Sequence, residues 1–514
     1  MSKISKLLGI KQNSMKVLFV SSEEAPFVKV GGLGEVMFSL PRALKYLGHD
    51  ARVMIPLYGT IDFSKYKMPY VYEGLDVPTA PNNGGKRLIC NVRKYEPQDF
   101  NRNPVTTYFL ENKEYYELRS NVYGYDDDRI RFALLSRACL EFLNSSKEWM
   151  PDIIVSTDWM TGYLPNFLKT DYQDYKLLKN ITTVFSIHNL ASQGTEKPYR
   201  YVPESERDDS YGEIPDFFGD RMKNINAMRR GILYTDVVNT VSPTYAKEIT
   251  TEEFGEGMEN LLREKRGTLF GIINGIDYET NDPSTDRAIT VKFSAKNFDA
   301  RGENKLALQK RFGLPQDKNI FITGIVSRLT RQKGFNLLQP IIEVFLKVTK
   351  SQLIIVGTGD TEIMDFFRSL EEKFPEQVRA HLQFDDSLPH LIYAGCDVFL
   401  MPSKFEPSGL TQMEAMRFGA VPVARKTGGL ADTVDDFFPG KNQGSGFLFE
   451  NMDPQELLIA FTRSFVNWKH CSEWQKLQKR VMEKDFSWDR SAKEYVELFR
   501  RAIRIREEES KKQK

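Results

Sequence analysis

The stretch from residue 16 to residue 35, KVLFVSSEEAPFVKVGGLGE, decides the fold. Its first five residues are a lysine and an unbroken apolar run of four, the mark of a strand buried on both faces. The last seven, KVGGLGE (29–35), put three glycines in four positions behind a lysine, and an amphipathic pattern follows over about 34–47. Strand, glycine turn and helix make up the repeating unit of a doubly wound α/β domain.

Working outward, the unit recurs. Short apolar runs predict strands at 51–55, 106–110, 152–156, 182–186 and 236–241, then at 320–326, 352–356, 380–384, 397–401, 421–424 and 446–449. Helical patterns fill the gaps, so the strands are expected to be parallel. The rhythm breaks near 268–320, around NDPSTDRAITVKFSAKNFDARGEN. The expected fold is therefore α/β, two Rossmann-like doubly wound domains facing a deep interdomain cleft. Their expected spans are 15–268 and 269–487. Residues 1–14 are expected to be a flexible N-terminal extension, and 488–514 a C-terminal helix packing back across the domains. Ligands of such sheets bind outside the carboxyl ends of the strands.

Composition narrows the function classes. Lys plus Arg number 71 and Asp plus Glu 70, giving a net charge of +1, which argues against nucleic acid or an anionic membrane as a partner. No apolar run approaches the ~20 residues that span a bilayer, and the lysine-rich start lacks the apolar core of a secretory signal. Four scattered cysteines without a CxxC read as reduced thiols of a cytoplasmic protein. Five histidines show no metal spacing, and no cofactor or metal is implied.

The chemistry concentrates in a few segments. KVGGLGE offers amide groups and Lys29 to an anion or a sugar, but it matches neither GxGxxG nor GxxxxGK[ST]. IVSRLTRQKGFNLL (325–338) carries Arg328 and Lys333 where a strand gives way to a helix, a place to neutralise a departing phosphate. In SKFEPSGLTQMEA (403–415), Glu406 is held extended by Pro407, and Ser408-Gly409-Leu410-Thr411 open a helix. A second turn, Thr427-Gly428-Gly429, opens the next one. Tyr108, Tyr115, Tyr116, Tyr123 and Tyr125 read mainly as packing, with glucan stacking as the alternative.

Together with FSIHNLASQG, NTVSPTYAKEIT, INGID, TGGLADTV and FSWDRSAKEYVELFRRAI, these segments occur in the order found in bacterial glycogen synthases and plant starch synthases. The chain resembles that family over roughly 15–500. The resemblance implies a GT-B-type glucosyltransferase. Such an enzyme moves glucose from ADP-glucose, a nucleotide-sugar donor, to the nonreducing end of an α-1,4-glucan such as glycogen, with retention and release of ADP. By motif, Glu406, His188, Arg328 and Lys333 carry the catalytic roles. Lys29, Gly31, Gly32, Glu35, Asp158, Asn274, Phe384, Ser408, Gly409, Leu410 and Thr411 would bind the donor, with Phe384 in the place of an aromatic residue near the nucleotide. His188 is expected to act through a hydrogen bond or its carbonyl, not as a general base.

Several positions depart from the family pattern. Glu35 stands for the usual Asp, TDWM (157–160) for HDWH, Ser192 for a Tyr, Ser408 for a frequent Cys, and Phe384 for a frequent Tyr. These keep two alternatives open: a related retaining transferase using UDP-glucose or another acceptor, and a catalytically weakened glucan-binding protein. A two-carboxylate glycosidase fits worse, because Glu406 has no partner carboxylate in a comparable motif.

Overall fold

The computed structural model describes residues 14–97, 105–195 and 197–512; most of the expected N-terminal extension lies outside them. The chain divides into two compact units.

Among the described residues, the first unit is built on a nine-stranded sheet in the order β3-β4-β5-β2-β1-β6-β7-β8-β9. The strands are β1 (Lys16–Val20), β2 (Asp50–Pro56), β3 (Tyr70–Pro78), β4 (Arg87–Tyr95), β5 (Thr106–Glu111), β6 (Ile153–Thr157), β7 (Thr182–Ile187), β8 (Val237–Thr240) and β9 (Leu269–Gly271). Every apolar run read as a strand in this half is one, shifted at its ends by a residue or two. The expectation of an all-parallel sheet needs correcting, since β4 runs antiparallel to both β3 and β5. β3 mixes exposed with buried residues, so it gives no continuous apolar run to read. β9, at the other edge, is three residues long.

The second unit carries a six-stranded parallel sheet in the order β12-β11-β10-β13-β14-β15. These strands are β10 (Ile322–Val326), β11 (Gln352–Val356), β12 (Val378–His381), β13 (Val398–Met401), β14 (Val421–Arg425) and β15 (Phe447–Phe449). Successive residues point to opposite faces, and both faces are covered. Leu353 and Ile355 enter one apolar cluster while Ile354 and Val356 enter another. At ~25 cal/mol per Å² of buried apolar surface, this two-sided burial dominates the stability of the sheet.

The boundary expected at 268 lies four residues later, while the second unit ends at 487 as expected. The first unit continues to Ile272, and the second begins at Ile273. Ser242–Tyr245 belongs to the second unit, where the Thr244 backbone N–H and Oγ1 donate to Asp432 at 2.8 and 2.6 Å. The C-terminal helix Trp488–Lys512 is an integral part of the first unit. Tyr495, Phe499 and Ala502, at heptad-like spacing, are buried there, and Phe499 meets Phe19 of β1 edge-on. The second unit is tied shut where the chain enters and leaves it, by Ile276 N–H donating to the Phe486 carbonyl at 2.8 Å.

Candidate active site

In the first unit the predicted residues follow the carboxyl ends of three neighbouring strands, β1, β6 and β7. After β1 comes the glycine loop. The helix begins at Gly32 and runs to Tyr46, with Gly31 as its N-cap. A methyl group added at Gly31 would meet nothing within 4 Å, so packing does not require a glycine and the loop is open on that side. The loop is not a bare cradle, however. Glu23 Oε2 accepts from the Val30 and Gly31 amides at 2.7 and 3.0 Å, and its Oε1 accepts from the Tyr123 hydroxyl at 2.8 Å. Lys29 is ion-paired with Glu35 across the first helical turn, both side chains substantially exposed.

Asp158 follows β6 with a left-handed backbone (φ 50°). Its Oδ1 accepts from the His188 and Asn189 amides at 2.8 and 3.2 Å. It therefore holds the IHN turn after β7, a task the expected donor-binding role did not include. Burial, with the Glu23 charge adding to it, pushes the Asp158 carboxyl up to about 7. Burial also lowers the His188 imidazole to about 4, so the ring is neutral at ordinary pH.

In the second unit the residues again follow strand carboxyl ends. Arg328, after β10, is exposed and has no carboxylate partner among the described residues. Lys333 ends a short turn and donates to Glu406 Oε2 at 2.5 Å; Ser403 Oγ donates to the same oxygen at 3.1 Å. The Lys333 and Glu406 side chains are 15% and 10% exposed, so this pair works in a partly dry setting. Lys333 lines a small recess with Ser327, Met401 and Ser403.

Glycine sets this geometry. At Gly334, φ is 72° and a Cβ would lie 1.9 Å from the Pro402 carbonyl oxygen. Only glycine lets the Arg331–Lys333 turn press on the loop after β13, where the Lys404 amide donates to the Gln332 carbonyl at 2.8 Å. Gly429 works the same way, since a Cβ there would lie 1.8 Å from the Ser408 carbonyl oxygen. The TGG turn is thus a buttress for the Glu406–Ser408 backbone, and the Gly429 amide donates to the Glu406 carbonyl at 3.0 Å.

Glu406, Ser408, Gly409, Leu410 and Thr411 occupy one loop leading into the helix Thr411–Arg417. Ser408 Oγ and Asn274 Oδ1 are buried polar atoms without hydrogen-bond partners. Phe384 is not at a strand end as expected. β12 stops at His381, and the Phe384 ring stands 83% exposed in the following loop. Tyr108, Tyr115 and Tyr116 are buried, so packing accounts for them and they present no glucan surface. Sequence reasoning missed Glu23 and Ser403, and it named Tyr123 without its bond to Glu23. Only the proximity of Glu23 to the glycine loop could have signalled any of them.

The chain is similar to known proteins over nearly its whole length. Residues 16–264 match the family model of the starch synthase catalytic domain, and residues 305–481 that of glycosyl transferases group 1. The chain is 38% identical to the glycogen synthase of Thermotoga petrophila over 499 residues, covering 95% of this chain and 99% of that one. It is 40% identical to the glycogen synthase of Clostridium perfringens over 496 residues, with the same coverage.

The chain belongs to the glycogen and starch synthase family.

Among solved structures, the catalytic domain of starch synthase IV from Arabidopsis thaliana, bound to ADP and acarbose, superposes with a TM-score of 0.81 at 32% identity, covering 95% of this chain and 99% of that one. Sucrose-phosphate synthase from Thermosynechococcus elongatus, at 16% identity and a TM-score of 0.56, shares the fold. The family member described here is accordingly a glycosyltransferase of two Rossmann-like domains, GT-B type, with glycogen or starch synthase function. No helix among the described residues is long and apolar enough to cross a membrane.

Proposed function

We propose that this synthase transfers glucose from ADP-glucose to the nonreducing end of an α-1,4-glucan, with retention of configuration and release of ADP, in the cytoplasm. The observation that carries the reading is the largely buried Lys333–Glu406 pair at 2.5 Å, in the same unit as Arg328, which has no carboxylate partner among the described residues. Breaking the bond from an anomeric carbon to a diphosphate oxygen leaves a polyanion and an electron-poor sugar. Arg328 and Lys333 meet the polyanion, and a site that excludes water strengthens that attraction. Glu406 accepts hydroxyl protons of the hexose in hydrogen bonds once Lys333 turns to phosphate.

In the proposed step the acceptor's 4-hydroxyl oxygen bonds to the anomeric carbon on the face the diphosphate leaves, and its proton passes to the departing diphosphate oxygen. His188, neutral, and Lys29 add contacts to the donor. Buried Asn274 Oδ1 and Ser408 Oγ, both unpartnered, are acceptors suited to ligand hydroxyl groups. Exposed Phe384 offers a ring face to the nucleotide base. The cations are side chains, so the reaction is expected to proceed undiminished in a chelator.

The starch synthase structure with ADP and acarbose supports both a nucleotide and a glucan-like ligand by family likeness. A donor panel with glycogen as acceptor tests the reading. ADP-glucose should give ADP and a lengthened chain whose new linkage is α by NMR. Release of nucleotide only from UDP-glucose would replace the donor, and glycogen binding without release from any donor would defeat the enzyme reading.

A further inference from the structure

Tyr123 reaches the glycine loop of the first unit through Glu23, 100 residues earlier in the chain. Its hydroxyl donates to Glu23 Oε1 at 2.8 Å and lies 2.8 Å from Ser22 Oγ. The other carboxylate oxygen, Oε2, accepts from the Val30 and Gly31 amides. Ser22 and Glu23 are at most 3% exposed, so bulk water does not replace these partners. No other donor reaches Glu23 Oε1 among the described residues. The tyrosine is itself fixed. Its ring packs on Phe132 with centroids 6.1 Å apart. The next residue, Gly124, donates its amide to Asp128 Oδ2 at 2.8 Å, and Arg119 pairs with Asp127 at 2.6 Å across the same segment.

The helix Gly32–Tyr46 leaves its first amides without acceptors of its own, and a capping oxygen ordinarily takes amides of that first turn. Glu23 takes instead those of Val30 and Gly31, the two residues before the helix. The Gly32 amide keeps no partner among the described residues, and Gly32, like Lys29, is exposed. The first turn also closes on the carboxylate, since a Cβ at Gly34 would lie 3.0 Å from Glu23 Oε2. The Val30–Gly31 backbone therefore follows one carboxylate, and one hydroxyl aims that carboxylate. Without the Tyr123 hydroxyl, Oε1 is an unpaired carboxylate oxygen away from water, a costly state. Turning Oε1 toward water pulls Oε2 off the two amides.

We propose that Tyr123 is a positioning residue for the nucleotide-sugar donor: its hydroxyl aims Glu23, and Glu23 holds the Val30–Gly31 backbone so that Lys29 and the Gly32 amide keep the places from which they meet the donor. The tyrosine touches no substrate in this role. The contact with the donor rests on the function proposed above, but the clasp on the two amides does not.

Tyr123→Phe keeps the ring on Phe132 and removes only the hydroxyl. Hydrogen exchange read at single amides should show Val30 and Gly31 exchanging about tenfold faster than in the parent, the scale of one lost hydrogen bond. The KM for ADP-glucose should rise about three- to tenfold with kcat within about twofold, the mark of weakened donor binding. Tyr116→Phe is the comparison. It removes another buried hydroxyl bond, to the Arg131 carbonyl at 2.7 Å, with no link to Glu23, and should leave both readouts at the parent's values. Equal effects in the two variants would reduce Tyr123 to general packing and overturn the proposal. So would unchanged exchange in Tyr123→Phe, or faster exchange at the parent's KM. If the parent released no ADP, the transfer reading would fail, while exchange at Val30 and Gly31 still decided whether Tyr123 holds the loop.

Discussion

Two loops in this protein use the same ingredients to different effect. KVGGLGE in the first unit and RQKG with FEPSG in the second each join a lysine, a glutamate and glycine-bearing turns. In the first, the Lys29–Glu35 pair is out in solvent, where such pairs contribute only ~0–1 kcal/mol. The loop's shape comes from Glu23, which grips two of its amides. In the second, Lys333 and Glu406 are largely withdrawn from water, and breaking such a pair by removing one partner costs ~3–5 kcal/mol. The surface pair can open for a ligand at little cost. The withdrawn pair stores an acid and a base in register until an anion competes for the lysine.

The largest effect should come from removing Lys333. Lys333→Ala leaves Glu406 with Ser403 as its remaining donor at Oε2, so a stability loss of ~3 kcal/mol and at least a tenfold drop in ADP release (~1.4 kcal/mol) are expected. Thermal unfolding and steady-state assay measure the two. Unchanged turnover would take Lys333 out of the site and collapse the contrast between the loops.

Next comes Asp158, the buried carboxyl of the first unit. Below pH ~4 both folded and unfolded chains hold this proton. Between the ordinary 3.8 and about 7 the unfolded chain releases it while the folded protein retains it. Stability owed to Asp158 therefore falls as pH rises through that window and stays low above it. Asp158→Asn keeps an oxygen for the His188 and Asn189 amides and removes the charge. Its stability relative to the parent should climb from pH 4 to 7 and level off ~2–4 kcal/mol higher. A pH-independent difference in denaturant midpoints would show that Asp158 is not held protonated.

Much of this was legible in the sequence, and the reasons are physical. Strands buried on both faces write themselves as continuous apolar runs, which is why β1 and β11 were bounded to the residue. β3 and β4 pair antiparallel near the sheet edge and mix polar with apolar residues, so they carried no such signature. The helix following β1 was placed two residues late, because nothing in GGL distinguishes a turn from a first helical turn. At the site, Arg328, Lys333 and Glu406 were legible as motif chemistry, and the structure puts Lys333 against Glu406. Glu23 and Ser403 were not, since an acceptor for amides and a donor to a carboxylate have no spacing rule of their own. The break before Trp488 is legible in the sequence, but Ser242–Tyr245 is not, because it joins the second unit through bonds to Asp432 that no local pattern announces.

The TGG turn sharpens the second half of the comparison. Gly429→Ala forces a methyl group against the Ser408 carbonyl oxygen, 1.8 Å from its ideal position. The Glu406–Ser408 backbone must move, with an expected destabilisation of ~1–3 kcal/mol and a rise in donor KM. An unaltered KM in a folded Gly429→Ala protein would mean that the buttress does not position Glu406.

The smallest stability effect belongs to Glu35. Glu35→Gln removes the partner of Lys29 but leaves Glu23 holding the loop, so the unfolding free energy should change by less than ~1 kcal/mol, and less still at high salt. The activity response separates two roles for the pair. If Lys29 serves the donor, freeing it from Glu35 lowers the donor KM, because the ammonium no longer has to leave a carboxylate to reach phosphate. If Glu35 itself contacts the donor, the same change raises KM. The pair is exposed and weak, so either outcome can be read at nearly constant stability. The Lys333–Glu406 pair offers no such separation, since removing either partner disturbs fold and chemistry together.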